Sequence, residues 1–179
     1  PLFALESGEP ITNHDIVAFS VGYEMAFPAI LNMLDLAGIP LHSAERTELT
    51  PLVIAGGTAM YNAEPLADFI DIVSLGEGED ITVELVELHR QARREGWSKH
   101  EFLCKAAQLD GLYVPSLYEV TYTKVSKDGQ RGHCSTRLTL DSPSESQAID
   151  KLYSQYEHGT SSESKWKYLE IISVIKCFN

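Results

Sequence analysis

The sequence predicts an α/β fold, a mostly parallel sheet with helices on both faces, followed by a C-terminal β-hairpin extension. Three observations predict it. The runs DIVAFSV (15–21), LVIA (52–55) and IDIVSL (70–75) are short, apolar and each closed by glycine. Unbroken apolar runs suit buried parallel strands, because helices cover both faces and the alternation disappears. The stretches between and after them carry helical spacing, and the aromatic, β-branched run YVPSLYEVTYT (113–123) changes the character to antiparallel strand.

Taken in order, residues 2–5 read as an edge or short parallel strand and 7–12 as a turn-rich connection. Residues 15–21 are the first firm strand. A helix over 24–37 follows, with Ile30, Met33, Leu34 and Ala37 on one face. Pro28 fits only near its first turn, and Gly38 stops it. After a polar connection, 52–55 is the second strand, 63–69 a short helix and 70–75 the third strand. Residues 79–95 form the best helix. Ile81, Leu85, Leu88 and Ala92 make its stripe, acids begin it, and Arg90, Arg93 and Arg94 lie near its end. Ser98, with Glu101 three residues on, is a capping box for a further helix ending at Gly111. Lys127-Asp128-Gly129 signals a hairpin, with 134–140 as the return strand. The organisation is therefore 1–111 as an α/β domain, 112–140 as hairpin or linker, and 141–179 as a polar, poorly ordered tail. Residues 147–156 of that tail suit a short helix, and its apolar end has no place in the preceding pattern.

Composition limits function. The 179 residues carry a net charge of −12, which argues against nucleic-acid binding through phosphates. No run approaches the ~20 apolar residues of a membrane span, and the amino end has no signal core. Cys104, Cys134 and Cys177 lie far apart and read as free thiols in a reducing, cytoplasmic setting. No metal spacing appears, and the six histidines are scattered. Pro1, with no initiator Met before it, reads as the start of a chain that has lost upstream sequence.

The glycines fall where parallel strands stop, and ligands of open α/β sheets bind at that edge. Gly56-Gly57 and Gly76/Gly78 could cradle part of a nucleotide-like ligand, or merely make tight turns. Neither is a G-x-G-x-x-G or P-loop fingerprint. Glu77 and Glu79 could accept hydrogen bonds from a ligand, or simply suit the start of a helix. Ser20, Tyr23, Glu24, Tyr61 and Asn62 lie beside the same edge. No G-x-S-x-G elbow or paired nucleophile and base is present, so no catalytic residue is assigned.

LVIAGG, then Glu64-Pro65, Asp71 and GEGE at 76–79, in this order, resemble the signature of a known family. It is the cobalamin-binding-type domain that precedes the catalytic domain in many radical S-adenosylmethionine (radical SAM) proteins. DIVAFSVGYEMAFPAILNMLDLAGIPLHSAER is similar to the preceding strand–helix unit of one subgroup, and YVPSLYEVTY to its exit toward the radical domain. The resemblance covers residues 1–123. It implies a Rossmann-like (flavodoxin-like) three-layer fold. It also implies a cobalamin edge formed by Ser20, Gly22, Gly56, Gly57, Gly76, Glu77 and Gly78. The implied partner is a radical SAM domain holding a 4Fe-4S cluster and S-adenosylmethionine, with this chain an accessory domain, silent by itself. The D-x-H-x-x-G motif and the C-x-x-x-C-x-x-C motif are absent from the chain, and residues after 124 depart from the family. The expectation is a fragment truncated at both ends, prone to self-association through an exposed sheet edge. The competing expectation is a free-standing α/β domain binding a nucleotide or partner protein.

Overall fold

The structure, a computed structural model, describes residues 2–126, 128–140, 145–158 and 166–177. The chain divides into two compact units, Pro1–Pro115 and Ser116–Cys177. It is a mixed α/β protein with a mostly parallel four-stranded sheet in the first unit and a separate antiparallel sheet in the second.

In the first unit the strands are β1 (Ile16–Ser20), β2 (Leu52–Gly56), β3 (Ile72–Ser74) and β4 (Leu112–Tyr113), in that spatial order. β1 and β3 pair with β2 in parallel, whereas β4 runs antiparallel to β3. Helix α1 (Phe27–Ala37) is shorter than the predicted 24–37 because Glu24–Ala26 forms a 3-10 turn before Pro28. It ends at Gly38, whose φ of 73° is the left-handed conformation glycine adopts without strain. The third predicted strand begins two residues later than 70, because Asp71 spends its backbone and side chain on β2.

Val17 and Phe19 of β1, Val53 and Ala55 of β2, Val73 of β3 and Tyr113 of β4 point to one face. There they pack with Phe27, Ile30 and Leu34 of α1 and with Met60 and Leu66. The alternate residues Leu52 and Ile72 are fully buried on the other face. Helices α2 (Gly78–Glu95) and α3 (Lys99–Ala106) contribute buried Leu85, Ala92, Phe102, Leu103 and Ala106. The Ser98 hydroxyl accepts the Glu101 N–H at 3.1 Å, so the predicted cap is made. The helix stops at Ala106 instead of running to 111.

Two early readings change. Residues 2–5 are not a strand of the sheet; Phe3 forms only an isolated antiparallel bridge with Pro10. The segment is too short and too turn-rich to reach β1. The short helix read over 63–69 is a 3-10 turn at Glu64–Leu66, with a further one at Thr58–Asn62.

β1 therefore has one partner. Leu52 N–H donates to the Asp15 carbonyl at 2.9 Å and Val21 N–H to the Gly56 carbonyl at 2.7 Å. Parallel ladders alternate, so Val17 and Phe19 also face β2, and Ile16, Ala18 and Ser20 turn their N–H and C=O groups outward. Among the described residues no backbone bond reaches those groups.

The second unit holds β5 (Leu117–Ser126), β6 (Arg131–Thr139), α4 (Glu145–His158) and β7 (Trp166–Lys176), with β5 central between β6 and β7. The hairpin strands lie closer to the turn than the predicted 113–123 and 134–140, and Lys127, read as part of the hairpin signal, lies outside the described residues. Of the segment read as a poorly ordered tail, 145–158 are helical and 166–176 are a strand on β5, while 141–144 and 159–165 lie outside the described residues. The short helix expected over 147–156 is present as α4, where Ala148 and Leu152 are buried with Tyr118, Val120, Tyr122 and Leu138. The apolar end thereby finds its place as an antiparallel partner of β5.

Candidate functional site

Parallel pairing brings the carboxyl ends of β1, β2 and β3 to one edge, and with them all seven residues expected there. Ser20, Gly56 and Ser74 are register partners, so they form one row on one face of the sheet. The row behind it is Ala18, Ile54 and Ile72. Exposure grades across both rows. Ile72 is buried, Ser74, Gly56 and Ile54 are half-buried, and Ala18 and Ser20 are exposed. This face is thus closed over β3 and open over β1, and at its carboxyl end its side chains are small. A Cβ on Gly56 would stand in this shallow trough, 3.4 Å from the Ser74 Cβ.

The two glycines after β2 have different roles. Gly57 has φ +103°, and a Cβ there would lie 2.6 Å from the Val21 carbonyl oxygen and 2.9 Å from its nitrogen. Only glycine allows this close backbone approach. Ala59 N–H donates to the Val21 carbonyl at 3.1 Å, and the Thr58 hydroxyl donates to the Gly22 carbonyl at 2.9 Å. Gly57 stitches the loop after β2 to the loop after β1, and Gly56 leaves space.

The loop after β3 is exposed from Gly76 through the first turn of α2. Glu77 is the N-cap residue of α2, yet its side chain makes no capping bond. Its carboxylate is exposed and makes no hydrogen bond among the described residues, so capping does not explain it. Gly78 opens the helix, and Glu79 and Asp80 occupy its first turn. Residues 20–26, 56–65 and 74–82, which make this edge, contain Glu24, Glu64, Glu77, Glu79 and Asp80 but neither Lys nor Arg. A helix N-terminus usually attracts anions, but carboxylates already placed there oppose a phosphate. Tyr23 and Tyr61 are exposed in the same loops, together with Met25. The edge therefore suits a ligand with apolar surface and hydrogen-bond donors.

At the opposite end of the strands lies a cluster that sequence reasoning missed. Asp71 is fully buried, and its carboxylate accepts bonds from the Ser43 hydroxyl at 2.5 Å, the Val53 N–H at 2.8 Å and the Lys99 ammonium at 2.7 Å. Arg46 reaches it through Nε at 3.3 Å and through a terminal nitrogen at 3.2 Å. The remaining donors of Arg46 bond the carbonyls of Pro40, Leu41 and Phe69, and Lys99 bonds those of Ser43 and Arg46. Two cations share one carboxylate away from water, and every donor finds an acceptor. Burial pushes the Lys99 ammonium below its ordinary range, and Asp71 partly restores it. Sequence pointed to Asp71 only as a member of a motif; its work is to tie α3 and the loop before β2 to the sheet.

Among the described residues, no group of three or more His, Cys, Asp or Glu side chains is arranged to hold a metal ion. No helix among them is long and apolar enough to cross a membrane.

The family described as "Radical SAM proteins, N-terminal" matches this chain over residues 1–115. No curated protein and no solved structure matches it. The matched segment coincides with the first compact unit.

Proposed function

The chain belongs to the family of radical SAM N-terminal regions, and from that premise we propose that it is the accessory, cofactor-binding part of a radical SAM protein, with cobalamin as its ligand. Family membership implies a linked radical SAM domain, and the 4Fe-4S cluster and S-adenosylmethionine belong to that domain. The observation that carries the cobalamin reading is the open row of Ser20, Gly56 and Ser74 at the carboxyl edge, where a Cβ on Gly56 would intrude. Gly22, Gly57, Gly76 and Gly78 shape the loops around it, and Glu77 holds an unspent carboxylate toward the same edge. Buried residues on both sides of the sheet fit a Rossmann-like, three-layer arrangement. A corrin periphery rich in carboxamides matches an edge offering carboxylate acceptors and tyrosines. Cobalt chemistry belongs to the cofactor; the residues of this chain bind and orient it. The acids at the start of α2 disfavour the multiply charged phosphates of a free nucleotide such as ATP, whereas cobalamin carries a single monoanionic phosphodiester on its tail.

Titration with hydroxocobalamin, followed by visible spectrum and calorimetry, tests this. Binding with Kd under about 100 µM is expected, along with no measurable binding of ATP. Gly56→Val should weaken it at least roughly tenfold, equivalent to ~1.4 kcal/mol, while Gly132→Ala, in the second unit and with open space for a Cβ, leaves it unchanged. Absence of a spectral change at about 100 µM cobalamin would defeat the cofactor reading.

We also propose that the free edge of β1 drives self-association of this chain. Edge strands are ordinarily blunted by charges, proline or bulges. β6 carries Arg131, His133 and Arg137, and β7 carries Glu170, Lys176 and a register shift, whereas β1 reads IVAFS with no such device. Sedimentation should show concentration-dependent association. Ala18→Pro should suppress it, because the lost N–H is one that β2 does not use. A monomer at every concentration would refute this.

A further inference from the structure

We propose that His89 is an acid-sensitive latch, holding α2 against α3 and the amino end of β1 in its neutral form and releasing it on protonation. The imidazole is 3 % exposed, on the inner face of α2. Its ring stands edge-to-face on Phe102 of α3, with centroids 5.7 Å apart and planes at 88°. Its Nε2 is buried and has no hydrogen-bond partner. Such a group fits while neutral, but an imidazolium there would bring a second N–H and a charge into a place with no acceptor for them.

The charged groups acting on it are few. Asp15, just before β1, favours the cation, and Arg93, one turn along α2, opposes it. These two are bound to each other, so the Asp15 carboxylate is already engaged. From α3 the ring meets Phe102, and the Lys99 ammonium of that helix is spent on Asp71 and two carbonyls. Desolvation is the largest influence and holds the imidazole below its ordinary value of 6.5.

The direction of the effect follows. In the open form His89 titrates near 6.5, and in the closed form it titrates lower, so below 6.5 the open form binds more protons. The closed state is fully favoured above that value and loses ground as pH falls toward the lowered one. Glu77 and Gly78 start the same helix, so the latch would couple acidity to the carboxyl edge; that coupling rests on the cofactor reading, whereas the latch does not.

Hydrogen exchange read by mass spectrometry at pH 7.0 and 5.5, corrected for intrinsic exchange rates, decides the matter. Opening of the α2 segment should rise severalfold between these pH values, up to a linkage limit of roughly eightfold, with α1 much less affected. His89→Phe keeps the ring contact and cannot titrate; it should abolish the rise, while His14→Gln should retain it. If His89→Phe fails to fold, His89→Gln serves, since it is uncharged at both pH values. A rise under about twofold in the wild type, or an equal rise in both His89 variants, would overturn the latch. Equal loss of protection over α1 and α2 would also overturn it, replacing it with global acid instability. No cobalamin binding at either pH, with the exchange rise intact, would count against the cofactor edge and leave the latch standing.

Discussion

Asp71→Ala is expected to cost about 3–5 kcal/mol of folding stability, the range for removing one partner of a buried ion pair. The carboxylate is the single anion between Arg46 and Lys99, both of which have almost no exposed side chain. Without it two cations and the Val53 N–H remain buried and lose their acceptor. Domains of this size are stable by ~5–15 kcal/mol, so the loss approaches the point of unfolding. Urea denaturation measures it. Asp71→Asn, which keeps the shape, provides a reading if the alanine variant does not fold, and should still lose most of that energy. Adding Lys99→Met should recover part of the loss, because one surplus cation goes with it; the double-mutant coupling isolates that recovery. A change under about 1 kcal/mol for Asp71→Ala would mean that water or local rearrangement satisfies the cluster. Lys99 also gives this cluster a pH signature. Its ammonium titrates below its ordinary value of 10.5 when folded, so the unfolded chain binds more protons in that window. The cost of burying it shrinks as pH climbs toward that value.

Gly57→Ala is the second large effect, expected at about 2–4 kcal/mol from left-handed strain and backbone overlap together. The added Cβ would meet the Val21 carbonyl at 2.6 Å, and backbone cannot swing aside as a side-chain tip can. Gly111→Ala is the informative contrast. Its φ is also positive, but the group it would meet, at 2.7 Å, is the Cδ1 end of Ile81, which can move. It should cost roughly 1 kcal/mol. Thermal melts of the two variants should therefore separate clearly. Equal shifts would show that dihedral strain alone decides both positions.

The division between what sequence reveals and what it hides follows distance along the chain. The three apolar runs, the stop at Gly38 and the cap at Ser98 are local, and each appears where its residues predict except that the third strand is confined to Ile72–Ser74. The separation of Gly56 from Gly57 is not local. It depends on how closely Val21 approaches, and Val21 lies in the loop after a different strand, β1. The buried cluster is hidden for the same reason. Ser43, Arg46 and Lys99 stand 28, 25 and 28 residues from Asp71. Each taken singly reads as a surface residue. The one available signal was an aspartate inside the largely apolar run 70–75, where an unpaired acid would be costly. His89 was passed over as one of six scattered histidines, because the stripe read for its helix was Ile81, Leu85, Leu88 and Ala92 and its neighbours Glu87 and Arg90 are charged. In the second unit, the apolar end could not be placed because its partner β5 lies some fifty residues earlier and is already paired with β6.

That central position of β5 also orders events during synthesis. The first sheet has all its strands once Tyr113 has emerged, and its pairings can close while the remainder is still being made. The second sheet waits. β5 and β6 can meet as a hairpin, but β7 pairs residues as far apart as Tyr118 and Lys176. Until that last strand arrives, Val120 and Tyr122 lack the flank that Val174 and Ile171 supply. Distant pairings form slowly, since loop closure precedes any reward. Until then the half-built hairpin presents an unpaired β5 edge, the kind of transient surface on which other chains can pair.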